Sequence, residues 1–133
     1  YLVTLEELEE FEVPAKENHT GKTWNLKMKC TINGVQVSEG NLSDMDWTFA
    51  ELIERASYGA TLYPGDVIGS GTVGTGCFLE LNGTGKLNDE NYTEQWLQDG
   101  DIIEMEIEAL GILSNTITKE ESDFSILEKK KRN

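Results

Sequence analysis

Residues 24–37 constrain this chain more than any other stretch. Trp24, Leu26, Met28, Cys30 and Ile32 alternate with Asn25, Lys27, Lys29 and Thr31. A period of two puts the first set on one side of a pleated strand and the second on the other. Asn33-Gly34 follows, and Val35 and Val37 resume the alternation. Asn-Gly between two alternating runs is the strongest local signal for a two-residue hairpin turn. The chain is therefore expected to be built around an antiparallel hairpin.

A second alternation lies near the end. Ile103, Met105 and Ile107 interleave with Glu104, Glu106 and Glu108, Gly111 breaks the run, and Ile112 to Ile117 can pair back. Gln98-Asp99-Gly100-Asp101 precedes this strand and repeats the turn logic of Tyr63-Pro64-Gly65-Asp66. After the earlier turn, Val67 and Ile68 are expected to open a strand that runs into a Gly-rich bend at 69–76. Cys77-Phe78-Leu79-Glu80-Leu81 is expected to be a further short strand, closed by Asn82-Gly83. Two segments have helical spacing. Leu5, Leu8 and Phe11 form a short amphipathic turn capped by Thr4 and ended at Val13-Pro14. Trp47, Phe49, Leu52, Ile53 and Ala56 define a longer helix capped by Ser43 or Asp44 and stopped by Gly59. The expected fold is thus a β-rich α+β domain with one main helix at about 44–57. A length of 133 residues suits one domain. Residues 119–133, which end in Lys129-Lys130-Lys131-Arg132, read as a solvated charged tail, leaving 1–118 as the domain.

Charge narrows the partners. A formal net charge of −14 opposes phosphate backbones and anionic headgroups, so neither nucleic acid nor a membrane surface is an expected partner. No run of 18 apolar residues is present to span a bilayer. Cys30 and Cys77 are too few and too far apart for a disulfide framework or a zinc site, and read as reduced thiols of a cytoplasmic protein. Four Asn-x-Ser/Thr sequons, at Asn18, Asn41, Asn82 and Asn91, exceed the roughly one expected by chance. They are read as turn residues, because Asn favours the same loops for backbone reasons. Tyr1 opens no signal peptide, and the start looks like the interior of a longer sequence.

Few residues offer chemistry. Glu104, Glu106 and Glu108 share a strand face and could offer two carboxylates to a hard cation, but a half-exposed strand has the same pattern. Gly69 to Gly76 leave backbone N–H groups open to an anion, or else make a bulged bend between strands. No Lys follows the last Gly and no helix is expected after it, so neither a Walker loop nor a dinucleotide fingerprint is present. His19 is the sole histidine, stands in a polar loop with no identifiable orienting carboxylate, and reads as exposed. Glu80 faces the core if Phe78 does, which would be costly enough to suggest a function. If Cys77, Leu79 and Leu81 form the buried face, it is simply solvated.

At residues 41–80 the sequence resembles a known family. Asp44-Met45-Asp46-Trp47-Thr48, then Gly59-Ala60-Thr61-Leu62-Tyr63-Pro64-Gly65-Asp66-Val67-Ile68, then Gly69-Ser70-Gly71-Thr72 resembles the fumarylacetoacetate hydrolase family. Asp99 to Ile107 with Leu110-Gly111 resembles that family's closing strand, and Tyr1 to Leu8 and Ile32-Asn33-Gly34 also match, so the likeness covers about 1–118. The resemblance implies a mixed β-sheet roll that dimerises, here the C-terminal portion of the catalytic domain. It implies a metal-dependent hydrolase or lyase that cleaves C–C bonds of small diketo or oxo acids such as fumarylacetoacetate or an acylpyruvate. It also implies a divalent ion (Mg²⁺, Ca²⁺ or Mn²⁺) chelating the substrate. Carried over by motif, Gly71 and Thr72 bind the substrate carboxylate, and Glu80 orients or activates a catalytic histidine. Two departures follow. Val73 stands where many members have Pro, which leaves the substrate open. The family's metal carboxylates and its histidine belong to a segment upstream of Tyr1, so no metal ligand is assigned here and Glu104, Glu106 and His19 inherit no role. That missing N-terminal segment, a homodimer mate and a small oxo acid are the expected partners. The other reading is a non-catalytic module that binds only an organic acid or a partner chain.

Overall fold

The computed structural model describes residues 2–121. Eight regular elements follow in order: β1 (Glu12–Pro14), β2 (Lys22–Trp24), β3 (Lys27–Ile32), β4 (Val35–Asn41), α1 (Phe49–Ala56), α2 (Phe78–Asn88), β5 (Ile102–Ile107) and β6 (Gly111–Thr116). Two 3-10 helices, Leu5–Phe11 and Leu42–Asp44, complete the list. Strands dominate, as expected of a β-rich α+β fold.

The hairpin forms as the alternation requires. β3 and β4 pair antiparallel through a turn in which Asn33 and Gly34 take φ of 51° and 78°. A bulge between Cys30 and Thr31 shifts the register, so Cys30 faces Ser38 whereas Thr31 faces Gln36. The turn is tied to the next strand. Asn33 Oδ1 accepts from the Ile102 N–H at 2.9 Å, Asn33 Nδ2 donates to Asp101 at 2.8 Å, and the Asn33 N–H donates to the Ile102 carbonyl at 2.8 Å. β5 therefore adds to β3, β6 adds to β5, and the antiparallel order is β4-β3-β5-β6. Register sorts the faces. Met28, Cys30 and Ile32 sit beside Ile107, Met105 and Ile103, while Lys29 opposes Glu106 on the other face and pairs with it at 2.6 Å. The two Asp-closed turns are alike, as the sequence suggested. Tyr63 and Asp66, like Gln98 and Asp101, exchange a backbone bond and a side-chain bond around a positive-φ glycine.

The run 24–32 is not one strand. β2 pairs with β1, and the chain steps between sheets at Asn25-Leu26. The Asn25 N–H donates to the Phe11 carbonyl at 2.8 Å, and the Leu26 carbonyl accepts from Leu42 at 3.0 Å. This step puts Leu26 at the centre, with no exposed surface, among Leu8 and Trp24. Phe11, Leu42, Phe49 and Ile107 pack around those three.

Three expectations are corrected. The main helix spans Phe49–Ala56, not 44–57, and its cap is Thr48. The Ser43 hydroxyl and N–H both donate to Asn41 Oδ1, so Ser43 has no role as a cap. Thr48 Oγ1 instead accepts from Glu51, whose carboxylate accepts the Thr48 N–H at 2.9 Å, a reciprocal capping box. Second, Cys77–Leu81 is not a strand but the start of α2. The helical form buries Asn82, whose amide takes three bonds: Nδ2 donates to Gln95, and Oδ1 accepts from Gln95 and Tyr92. Tyr92 packs over Gly85 with no room for a Cβ beneath it. Asn82-Gly83, taken for a turn, lies within that helix. Third, Val67 and Ile68 join no strand, and Val67 is 95% exposed. The bend they lead into crosses the face of β4 instead of extending its edge. The tail residues 122–133, Lys129 to Arg132 among them, lie outside the described residues.

Candidate functional site

The Gly-rich bend is seated on β4 by two contacts. Val73 lies directly over Gly40, where a Cβ would come within 2.5 Å of Val73 Cγ1. Two residues on, Thr75 Oγ1 meets the hydroxyl of buried Ser38 at 3.4 Å. Alternation puts Ser38 and Gly40 on one side of the strand, so both hold the bend from below. A tight turn closes the far end, with the Gly76 N–H donating to the Val73 carbonyl at 2.8 Å. Gly71 takes a φ of 94°, open to glycine and strained for other residues.

Between bend and sheet lies a cleft of about 410 Å³. Gly71 and Thr72 form one wall, and Gly40, Asn41, Asp44 and Met45 the other. Asn41 shapes that second wall. Besides binding Ser43 it donates to Asn25 at 2.7 Å, and Lys16 donates to the Asp44 carbonyl at 2.9 Å. Gly40 and Asn41 also border a hollow of about 650 Å³ on the charged face of the sheet, where Lys27 and Lys29 stand with Glu39, Asp44, Glu106 and Glu108. The hydrogen-bonded Glu106 carboxylate raises the Lys29 ammonium above its ordinary pKa. The cleft offers an anion a glycine-bordered backbone and a hydroxyl.

The expected site residues divide. Gly71 and Thr72 share the cleft wall. Glu80 is exposed in the first turn of α2 and does not line the cleft. Among the described residues, no three acidic, histidine or cysteine side chains gather to hold a metal ion. Glu106 is committed to Lys29, and Glu108 accepts the Lys27 N–H at 3.2 Å.

His19 departs from its reading as exposed and unoriented. Its side chain is 15% exposed, and Nδ1 lies 3.0 Å from Glu51 Oε2. The Trp47 ring approaches edge-on with centroids 5.3 Å apart. Glu51 also accepts the Thr20 N–H at 2.9 Å, so one carboxylate fastens the 16–20 loop to the start of α1. The sequence did show Thr48-x-x-Glu51 as a capping box, but nothing local linked Glu51 to a loop 32 residues earlier.

The Thr20 and Thr48 N–H groups, aided by His19, hold the Glu51 carboxyl down at about 2. A depressed folded-state pKa stabilises above the ordinary 4.5 and loses that contribution as pH falls through about 2. Carboxyl ¹³C titration should place the Glu51 midpoint near 2. Glu51→Gln should lower stability at neutral pH and flatten acid unfolding between about 4.5 and 2. Superimposable acid-unfolding curves for the two proteins would refute this.

No helix among the described residues is long and apolar enough to cross a membrane. A family model, fumarylacetoacetate hydrolase C-terminal, matches residues 2–118. An uncharacterized protein of Methanocaldococcus jannaschii is 35% identical over 73% of this chain and 33% of its own length. The human mitochondrial oxaloacetate tautomerase FAHD2A is 36% identical over 70% of this chain and 26% of its own length. The Bacillus subtilis oxaloacetate tautomerase YisK is 38% identical over 69% and 27%. The chain thus spans about a quarter to a third of the length of these relatives. A family match across nearly every described residue, with the motif carriers Gly71 and Thr72 inside it, leads to one conclusion: the chain belongs to the fumarylacetoacetate hydrolase family.

Proposed function

We propose that this chain supplies the carboxylate-binding wall of an enzyme that converts a small oxo acid. The observation that carries this reading is the cleft itself, with Gly71 and Thr72 held over β4 by the Gly40–Val73 contact. In it, backbone N–H groups of the bend and the Thr72 hydroxyl donate to the acid's carboxylate.

The reaction we favour is keto–enol conversion of an oxaloacetate-like acid. The names of the human and Bacillus relatives support it. A proton leaves the carbon beside the carbonyl and the enolate oxygen takes one up. C–C hydrolysis of a fumarylacetoacetate- or acylpyruvate-like substrate, with Mg²⁺ or another divalent ion, is the reading the sequence motif favours. The described residues do not fit a metal, so we assign its ligands, and the proton-transfer groups, to polypeptide outside this chain. Glu80 keeps its proposed role of orienting a histidine there. A second strand of support for such a partner is exposed apolar surface: Val67, Leu79, Leu87 and Tyr63 stand mostly in water. Homodimerisation is proposed on the same ground.

The test is kinetic, on the longer protein that carries this chain. Oxaloacetate tautomerisation is followed in ultraviolet light and acylpyruvate cleavage by product. Thr72→Val should weaken binding by about 1–3 kcal/mol, seen as a raised KM. Unchanged KM and kcat would remove Thr72 from the site. Turnover of acylpyruvate but not oxaloacetate would select hydrolysis, and binding without turnover of either would select the non-catalytic module.

A further inference from the structure

We propose that Cys30 and Cys77 form a reversible dithiol–disulfide pair that pins the Gly-rich bend to β3. They are the chain's two cysteines, both are free, and both line one apolar cavity of about 530 Å³ on the side of the sheet opposite the charged hollow. Cys30 belongs to the sheet wall of that cavity, with Ile32, Ile103 and Met105, and Cys77 to the facing wall at the cap of α2, with Phe78 and Leu81. The bend already touches the right strand: Thr75, two residues before Cys77, meets Ser38, and Ser38 is the ladder partner of Cys30. A disulfide needs Cα atoms about 4.4–6.8 Å apart. The open cavity leaves room for Cys77, exposed at the end of the bend, to approach Cys30 to that distance.

The oxidant class is a low-molecular-weight disulfide such as glutathione disulfide. The exposed Cys77 thiolate attacks one of its sulfurs, forming a mixed disulfide and expelling one glutathione thiolate. The Cys30 thiolate then attacks the Cys77 sulfur and expels the second. Two protein thiols lose two electrons, one glutathione disulfide becomes two glutathiones, and the thiol protons pass to the expelled thiolates. Burial pushes the Cys30 thiol above its ordinary pKa, which slows thiolate formation there and leaves the first attack to exposed Cys77.

The reduced chain is incubated with glutathione disulfide, acid-quenched, and read by intact mass and a non-reducing peptide map. The wild type should lose two hydrogens, carry no glutathione, and yield a peptide joining residues 30 and 77. Cys30→Ser should stop with one glutathione on Cys77. Backbone hydrogen exchange across residues 69–76 should slow on oxidation and recover with dithiothreitol. Glutathione accumulating on wild-type Cys77 as it does in Cys30→Ser, a disulfide between two chains, or unmodified thiols would overturn the pair. Exchange unchanged by a disulfide that does form would overturn the pinning of the bend.

Discussion

Leu26→Ala should unfold this chain at ambient temperature, or bring it to the edge of unfolding. Leu26 is the one large side chain with no exposed surface, and the buried apolar cluster consists of only Leu8, Trp24 and Leu26 among the described residues. Truncating a buried leucine costs about 2–5 kcal/mol, through lost transfer energy plus the cavity left behind. The high end applies here, because backbone bonds on both sides fix the step at Asn25-Leu26: Asn25 to Phe11 and Leu42 to Leu26. The walls cannot collapse onto the gap without breaking the junction of the two sheets. Typical domains hold only about 5–15 kcal/mol in reserve, and a cluster this small places the chain low in that range. Leu26→Met, which keeps the volume, should cost less than about 1.5 kcal/mol. Urea unfolding followed by tryptophan fluorescence and by circular dichroism checks both. A Leu26→Ala loss below about 1 kcal/mol would show that the centre lies elsewhere.

Gly40→Ala should be the most damaging single change at the cleft. Gly40 has no positive φ, so the effect is steric alone. The new methyl would sit 2.5 Å from Val73 Cγ1 and 3.7 Å from Val73 Cβ. The first distance is impossible and the second an ordinary contact, which gives the test its control: Val73→Ala removes the clashing methyl and keeps the Cβ. Overpacking of this kind costs about 1–3 kcal/mol. The strain is relieved by lifting the bend, which carries Gly71 and Thr72 away from the opposite wall. Oxo-acid affinity should therefore fall about tenfold or more in Gly40→Ala and largely recover in Gly40→Ala/Val73→Ala. Equal affinities in wild type and Gly40→Ala, measured by calorimetry, would show that the Gly40–Val73 contact does not set the cleft. Failure of the double variant to recover would show that the glycine matters for another reason.

Local rules reached some of this architecture. Asn33-Gly34 specified its turn because both residues accept positive φ, and the alternations on either side specified which faces met. The Tyr63–Asp66 and Gln98–Asp101 turns were readable because each closes within four residues. The misses depend on distant partners. Phe78 to Leu81 has strand-like composition, and its helix is secured by Asn82 binding Gln95, 13 residues away. Ser43 looked like a helix cap until Asn41 claimed it, and Thr48, the true cap, also donates to the Thr20 carbonyl. Val67 and Ile68 have strand propensity but no ladder to join, because the bend beyond them lies across β4. At the site, the Gly71-Thr72 motif was legible. Its seat was not, since Gly40 and Val73 are 33 positions apart and neither is unusual in its own neighbourhood.

The exposed apolar side chains have a thermodynamic consequence. The heat-capacity increment of unfolding scales with the hydrocarbon newly wetted. A native state that already leaves Val67, Leu79, Leu87 and Tyr63 mostly in water has less of it to give. Its free-energy curve against temperature is correspondingly flat. Warming and cooling move the isolated chain only a little, whereas a surface that covers those side chains deepens and sharpens the whole dome.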